Sequence, residues 1–358
     1  MNPQAEGARV MFAIPGDLAA RTGGYIYDQR LGRGLLAAGW RLETLNLGKS
    51  FPNPAPDDMA AALAALAAVP DDTVLLVDGL AFGALDTAGL ATVKAPLCAL
   101  VHHPLALESG VAAERAVVLR RLETANLAMA RQVIVTSPHT AATLVRDFGV
   151  PEARITIALP GTDLPPKPRQ SPGSIPNILS VGSLTQRKGH DVLLSALASL
   201  TDLAWTATIV GGPHDPSVAA RLKAQWAALG LEQRVQFAGE LERDELDACY
   251  ARASIFALAT RYEGYGMVFA EATANGLPIV SCAAGAVPET APKKSSILVP
   301  PDDPAAFARA LRSVLTDPAL EARLSDGAKR AAAALPTWDE AIRLAGLALE
   351  KTLKGYAI

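Results

Sequence analysis

"PGTDLPPKPRQSPGSIP" (residues 160–176) contains six prolines and almost no apolar periodicity. Proline fixes φ and lacks an amide donor, so this stretch cannot continue a helix or an interior strand and reads as a linker. On its N-terminal side, β-rich apolar runs lie at 8–14, 41–47, 73–79, 95–101, 132–137 and 154–160. Helical patterns sit between most of them, as "YIYDQRLGRGLLAAGW" (25–40) shows. On its C-terminal side the alternation restarts, with runs at 177–183, 205–212, 235–240, 254–260, 278–282 and 296–301. The helices expected there cover 190–200, 216–229, 243–252 and the segment after Gly266, and long helices finish the chain. Such alternation is the mark of βαβ units and parallel sheets. The expected fold is therefore α/β, with two doubly wound domains over residues 1–170 and 171–335 and a last helical segment at 336–358. Two such sheets, joined by a proline-rich hinge, are expected to face each other across a cleft. Ligands of parallel sheets gather beyond the carboxyl ends of the strands, so the loops after each strand are where chemistry belongs.

The bulk composition narrows the function classes. At 358 residues, 50% hydrophobic and a net charge of −3, the chain reads as globular and soluble rather than as a nucleic-acid binder. Arg115, Arg120 and Arg121 in "ERAVVLRRLE" (114–123) mark either a solvated helix face or a patch toward anionic lipid. No stretch approaches the ~18 uninterrupted apolar residues of a membrane span, and the N-terminus lacks a signal pattern. Cys98, Cys249 and Cys282 are isolated in apolar surroundings, and the five histidines show no metal-ligand spacing. The expectation is a cytoplasmic protein with at most peripheral membrane contact, and no metal site.

The strand-end loops hold the candidate residues. Gly23 and Gly24 follow the first strand and precede a helix, as a ligand loop or a tight turn. His102, at the end of 95–101, is a candidate hydrogen-bond donor to a sugar hydroxyl, or else a structural histidine. "VGSLTQRKGH" (181–190) ends a strand at Gly182, then places Ser183, Arg187 and Lys188 ahead of a helix, which suits a phosphate group or, more blandly, a surface turn. "TRYEGYGMVFAEATANGLPIVS" (260–281) carries Glu263 in a loop and Gly264, Tyr265, Gly266 and Met267 at a helix mouth, with Glu271 expected two turns inside. Glu263 can accept from ligand hydroxyls. Glu271, among apolar neighbours, needs either ligand hydroxyls or a structural arginine. The turn from Gly285 to Glu289 reads as a further wall of the same pocket.

Together these features resemble glycosyltransferase family 4, the retaining nucleotide-sugar transferases of GT-B fold. The resemblance is carried by Arg187-Lys188-Gly189, the eight-residue spacing of Glu263 and Glu271, the Gly285–Glu289 turn and "ILVPPDDPAAFARAL" (297–311). Gly23-Gly24, His102, "VTSPHTAATLVRDFGVPEARI" (135–155) and "PGTD" (160–163) follow the same order. One position departs: the family's arginine after the strand-end glycine is here Ser183, and Arg187 is the residue able to supply that charge.

The resemblance implies two Rossmann-like domains, an N-terminal one for the acceptor and a C-terminal one for the nucleotide-sugar. It also implies a terminal helix around Trp338 that crosses back to the first domain. Arg187 and Lys188 would neutralise the diphosphate. Glu263 and the backbone of Gly264–Met267 would hold sugar and phosphate, Glu271 the ribose, and His102 would lie near the transferred sugar. Gly23 and Gly24 would face the diphosphate or the acceptor. The implied partners are a nucleotide-sugar, UDP-hexose ahead of GDP-mannose, and a sugar, lipid-linked or small-molecule acceptor. No Asp-x-Asp motif supplies a metal, so same-face transfer without a cofactor is the expected chemistry. A nucleotide-sugar epimerase of the same fold, or a two-domain binding protein without catalysis, are the competing expectations.

Overall fold

The computed structural model describes residues 7–18, 22–108, 110–166, 173 and 175–355. Part of the central linker (167–172 and 174), including the boundary expected at 170/171, lies outside the described residues. The chain forms two compact units, Met1–Gly161 with Pro336–Ile358, and Thr162–Leu335.

The first unit runs β1 (Arg9–Ile14), α1 (Gly23–Ala37), β2 (Arg41–Asn46), α2 (Pro56–Ala67), β3 (Val74–Asp78), α3 (Gly79–Phe82) and α4 (Thr87–Leu90). It continues with β4 (Leu97–Val101), α5 (Ala113–Met129), β5 (Gln132–Val135), α6 (Pro138–Phe148) and β6 (Ile155–Ile157). The second unit runs β7 (Asn177–Val181), α7 (His190–Ala198), β8 (Thr206–Val210), α8 (Pro216–Ala228), β9 (Val235–Gly239), α9 (Arg243–Arg252) and β10 (Ile255–Leu258). Then come α10 (Met267–Ala274), β11 (Ile279–Cys282), α11 (Val287–Thr290), β12 (Ser296–Val299), α12 (Pro304–Thr316) and α13 (Pro318–Ala332). Helix α14 (Trp338–Lys354) returns to the first unit, where Ala345, Ala348 and Leu349 join a core with Phe12, Leu76 and Leu100.

Every strand pair in both sheets is parallel. The central strands β3, β4, β10 and β11 are buried at every residue, as a sheet covered by helices on both faces requires. The first sheet has the order β2-β1-β3-β4-β5-β6, whose direction of winding reverses between β1 and β3. The second has the order β12-β11-β10-β7-β8-β9. Counted from its own first strand this is the Rossmann order 3-2-1-4-5-6, with the reversal between β7 and β10. Loops diverge at such a reversal and leave a crevice beyond the strand ends, which fixes where each unit can hold a ligand.

Helix ends follow the chemistry of their caps. Ser137 caps α6 and Asp303 caps α12 through backbone amides, each with proline in the first turn. Helix α10 starts at Gly266 in the left-handed region (φ 85°) and stops before Gly276 (φ 67°). Glu271 therefore sits four residues past the start of the helix, close to one turn rather than the expected two. Gly23 and Gly24 form the first turn of α1 instead of a loop before it.

Candidate functional site

The reversal point of the second sheet gathers the candidate residues of that unit. After β7, Gly182 lets the Lys188 stem pass close by: a Cβ there would lie 3.1 Å from Lys188 Cδ. Residues Gln186–Lys188 form a single 3-10 turn that ends at Gly189, φ 64°. A Cβ on Gly189 would come within 1.9 Å of the Ala259 carbonyl, so only glycine lets this loop close on the end of β10. The Arg187 carbonyl accepts from the Arg261 amide at 2.8 Å and from Thr260 Oγ1 at 3.1 Å, tying the two loops together.

Three side chains converge on Glu263, which is 4% exposed. Lys188 Nζ donates to Oε1 at 2.8 Å and to Oε2 at 3.0 Å. Arg187 Nη1 donates to Oε2 at 3.2 Å, and Thr260 Oγ1 to Oε1 at 2.9 Å. Burial alone would push the Glu263 carboxyl up, but the charges of Lys188 and then Arg187 outweigh it and hold the group below the usual glutamate range. The expected assignment treated the cations and Glu263 as separate grips. In the fold they are one ion-paired cluster, because a buried carboxylate needs compensating charge.

The wall behind Glu263 comes from the turn after β11. Gly285 (φ 55°) is packed so tightly that a Cβ would lie 2.3 Å from the Glu263 carbonyl oxygen, and the Ala286 amide donates to that oxygen at 2.9 Å. Thr290 Oγ1 donates to the Tyr265 carbonyl at 2.7 Å, which anchors the helix mouth formed by Gly264, Tyr265, Gly266 and Met267. The first amides of α10 have no acceptor within the helix, and its dipole favours an anion there. Ser183, beside Gly182, is half-buried at the start of the cation loop.

Glu271 has the arginine-paired arrangement. Arg243 Nη1 donates to Oε1 at 2.9 Å and Tyr250 Oη to Oε2 at 2.8 Å. Both partners come from α9, and Arg243 is itself held by Asp247 at 2.8 Å. Each oxygen of Glu271 thus has a protein donor. Tyr250→Phe is expected to cost ~1–2 kcal/mol, since the tyrosine is fully buried and its hydroxyl meets a charged acceptor. Thermal unfolding reads this directly; an unchanged midpoint would mean that the Tyr250 hydroxyl adds nothing to stability through Glu271.

Sequence reasoning missed His190 and Arg261. His190 is buried, its Nε2 lies 3.1 Å from the Gly182 carbonyl, and burial pushes its pKa down to about 4, so it is a neutral strut under the cation loop. Arg261 binds Asp191 at 2.8 and 2.9 Å and Asp302 at 2.7 Å, locking the loop after β10 to α7. Arg261 directly follows the 254–260 run, so its place at the sheet edge was visible although its partners were not.

In the first unit His102 follows β4. Its Nε2 lies 3.0 Å from Asp28 Oδ1 and 3.5 Å from Asp78 Oδ2. A Cβ on Gly24 would lie 3.3 Å from His102 Cδ2, so that glycine makes room for the ring. Burial pulls the His102 pKa down, but the charge and hydrogen bond of Asp28, then the charge of Asp78, outweigh it and leave the ring above its usual value. The Asp78 carboxyl is pushed up to about 7, by burial first and the Asp28 charge second. Among the described residues, Asp28, Asp78 and His102 form the one group whose donor types could hold a metal ion, with donor atoms within 4.8 Å of one another. Histidine spacing gave no hint of this group. Gly24 and Asp28, four apart on α1, and Asp78 at the end of β3 were the available signals. His103 pairs instead with Glu108 at 2.7 Å.

Comparison with known proteins bears on the fold and on the second unit. Residues 166–331 match the family model "Glycosyl transferases group 1". The match lies in the second unit, and the two parallel six-stranded sheets match the GT-B fold of solved glycosyltransferases. It is 32% identical over 226 residues to the D-inositol 3-phosphate glycosyltransferase of Xylanimonas cellulosilytica, covering 58% of this chain and 54% of that protein. The enzyme of the same name from Streptomyces bingchenggensis is 30% identical over 247 residues, covering 63% and 54%. The chain thus spans about half the length of these relatives. Sucrose-phosphate synthase from Thermosynechococcus elongatus superposes with a TM-score of 0.81 at 25% identity, over 97% of this chain and 100% of that one. Anabaena HepE in complex with UDP and glucose shares the fold, with a TM-score of 0.75 at 16% identity over 96% and 100%. No described helix is long and apolar enough to cross a membrane.

Proposed function

We propose that this protein moves a hexose from a nucleotide-diphosphate sugar, UDP-hexose in preference to GDP-mannose, to an acceptor hydroxyl with retention of configuration. The observation that carries this reading is the Arg187–Lys188–Glu263 cluster at the reversal point of the second sheet, beside the N-terminus of α10. A diphosphate arriving there competes with Glu263 for Lys188 and Arg187. The carboxylate released from them accepts hydrogen bonds from sugar hydroxyls, while the α10 amides meet a phosphate oxygen. As the bond from sugar carbon to phosphate oxygen breaks, the cations hold the growing negative charge, so the step calls on neither metal nor cofactor. The departing phosphate oxygen takes the acceptor's proton, and the new carbon–oxygen bond forms on the same face.

The first unit serves the acceptor, and His102 is its contribution to the transferred sugar. Glu271 remains the ribose grip only if hydroxyls share it with Arg243 and Tyr250. The choice of UDP draws support from HepE, a neighbour in fold that was solved with UDP and glucose. A thermal-shift series with UDP-glucose, UDP-N-acetylglucosamine and GDP-mannose tests the reading. A bound donor present at a hundred times its Kd is expected to stabilise the protein by ~2.7 kcal/mol. Turnover of labelled donor then separates transfer from binding alone. No shift with any sugar nucleotide at millimolar concentration would reject the reading.

A further inference from the structure

We propose that Asp28 is the positioning residue of His102: it accepts the ring's Nε2 proton, fixes the ring's orientation and keeps it a cation. The catalytic part of this inference rests on the glycosyl-transfer reading; the protonation part does not.

Asp28 is 1% exposed and its Oδ2 has no hydrogen-bond partner. Among the described residues no lysine or arginine pairs with Asp28 or Asp78, so His102 is the group that compensates these buried carboxylates. The groups around the ring come from several elements. Helix α1 supplies Asp28, the Tyr27 ring edge-on at 5.4 Å, and Tyr25, whose hydroxyl is pushed up to about 12 by burial and by Asp78, Asp28 and Asp17. Asp78 stands at the end of β3, with its Oδ1 accepting from the Leu80 amide at 2.9 Å. Thr136 Oγ1 and Thr140 Oγ1 donate to the His102 carbonyl at 3.3 and 3.4 Å, which pins the backbone beneath the ring. Both carboxylates lie on the Nε2 side, so Nδ1 is the edge left to donate to an oxygen of a ligand.

The test is the titration of His102 by NMR in the full chain, its signal assigned by its loss in His102→Gln. Asp28→Asn keeps the shape and removes the charge. The His102 midpoint is expected to fall by about one pH unit or more, a tenfold loss of proton affinity. Asp78→Asn, at the longer distance, is expected to lower it less, and it serves as the second variant should Asp28→Asn fail to fold. In turnover, the basic limb of the pH–rate profile is expected to move down with the NMR midpoint. The donor KM is expected to hold while kcat falls, and Asp28→Glu is expected to restore part of the loss. An unmoved His102 midpoint in Asp28→Asn would overturn the inference. So would a His102 signal that broadens stoichiometrically with Mn2+, or shifts stoichiometrically with Zn2+, in the wild type but not in Asp28→Asn, since the cluster would then be a metal site.

Discussion

Lys188→Ala is expected to lower both sugar transfer and donor hydrolysis by roughly 10²–10³-fold, the size of effect seen when one preorganised donor to a transition-state oxygen is removed. The reason is geometric. Lys188 Nζ reaches both oxygens of Glu263, at 2.8 and 3.0 Å, from a loop that Gly182 and Gly189 hold against β10. No other described side chain reaches both oxygens of this carboxylate. Removing one partner of a buried ion pair costs roughly 3–5 kcal/mol. Here Arg187 and Thr260 stay on Glu263, so a loss toward the low end is expected. Activity should therefore be measured well below the variant's melting point, with circular dichroism to confirm folding. Transfer and hydrolysis near the wild-type rate in a folded Lys188→Ala protein would reject the proposed charge stabilisation. Uniform loss of fold instead would point to a purely structural ion pair.

The second large effect is expected at Gly285→Ala. The residue lies at φ 55°, where alanine is strained by about 1 kcal/mol, and its new methyl would meet the Glu263 carbonyl oxygen at 2.3 Å and the Glu263 amide at 2.8 Å. These close neighbours are backbone atoms of Glu263, so no flexible side chain is there to yield. Overpacking of this kind adds about 1–3 kcal/mol, so a total of ~2–4 kcal/mol is expected, and a melting point lower by roughly 5–15 °C. Because the displaced group is the backbone of Glu263, donor-induced stabilisation should vanish in the same variant. A folded Gly285→Ala protein with wild-type melting and donor response would show that the turn is not a wall of this site.

Much of the site was legible in the chain because strand-end position is a local property. Lys188, Arg187 and Glu263 each follow an apolar β-rich run, and the glycines beside them mark where the backbone must bend or approach closely. The helix mouth at Gly266 and the stop at Gly276 were equally readable, since left-handed backbone selects glycine. What could not be read was who meets whom. Glu271 looked like a carboxylate in want of ligand hydroxyls or an arginine, with nothing to say which: Arg243 and Tyr250 reach it from 28 and 21 positions away. Nothing in the residues beside Asp28 marks its role, since its partner His102 stands 74 positions further on.

By itself, then, the sequence determined the alternation of strands and helices, the linker between two α/β halves, and the loops that could carry charge. Period and turn chemistry are backbone properties, written over a few neighbouring residues. The tertiary structure decided the strand orders, with their reversals between β1 and β3 and between β7 and β10. It decided that the two cations and Glu263 form a single cluster, and that two buried aspartates face one histidine. Those outcomes depend on which strands become neighbours when the apolar faces bury each other, and no local pattern records that choice.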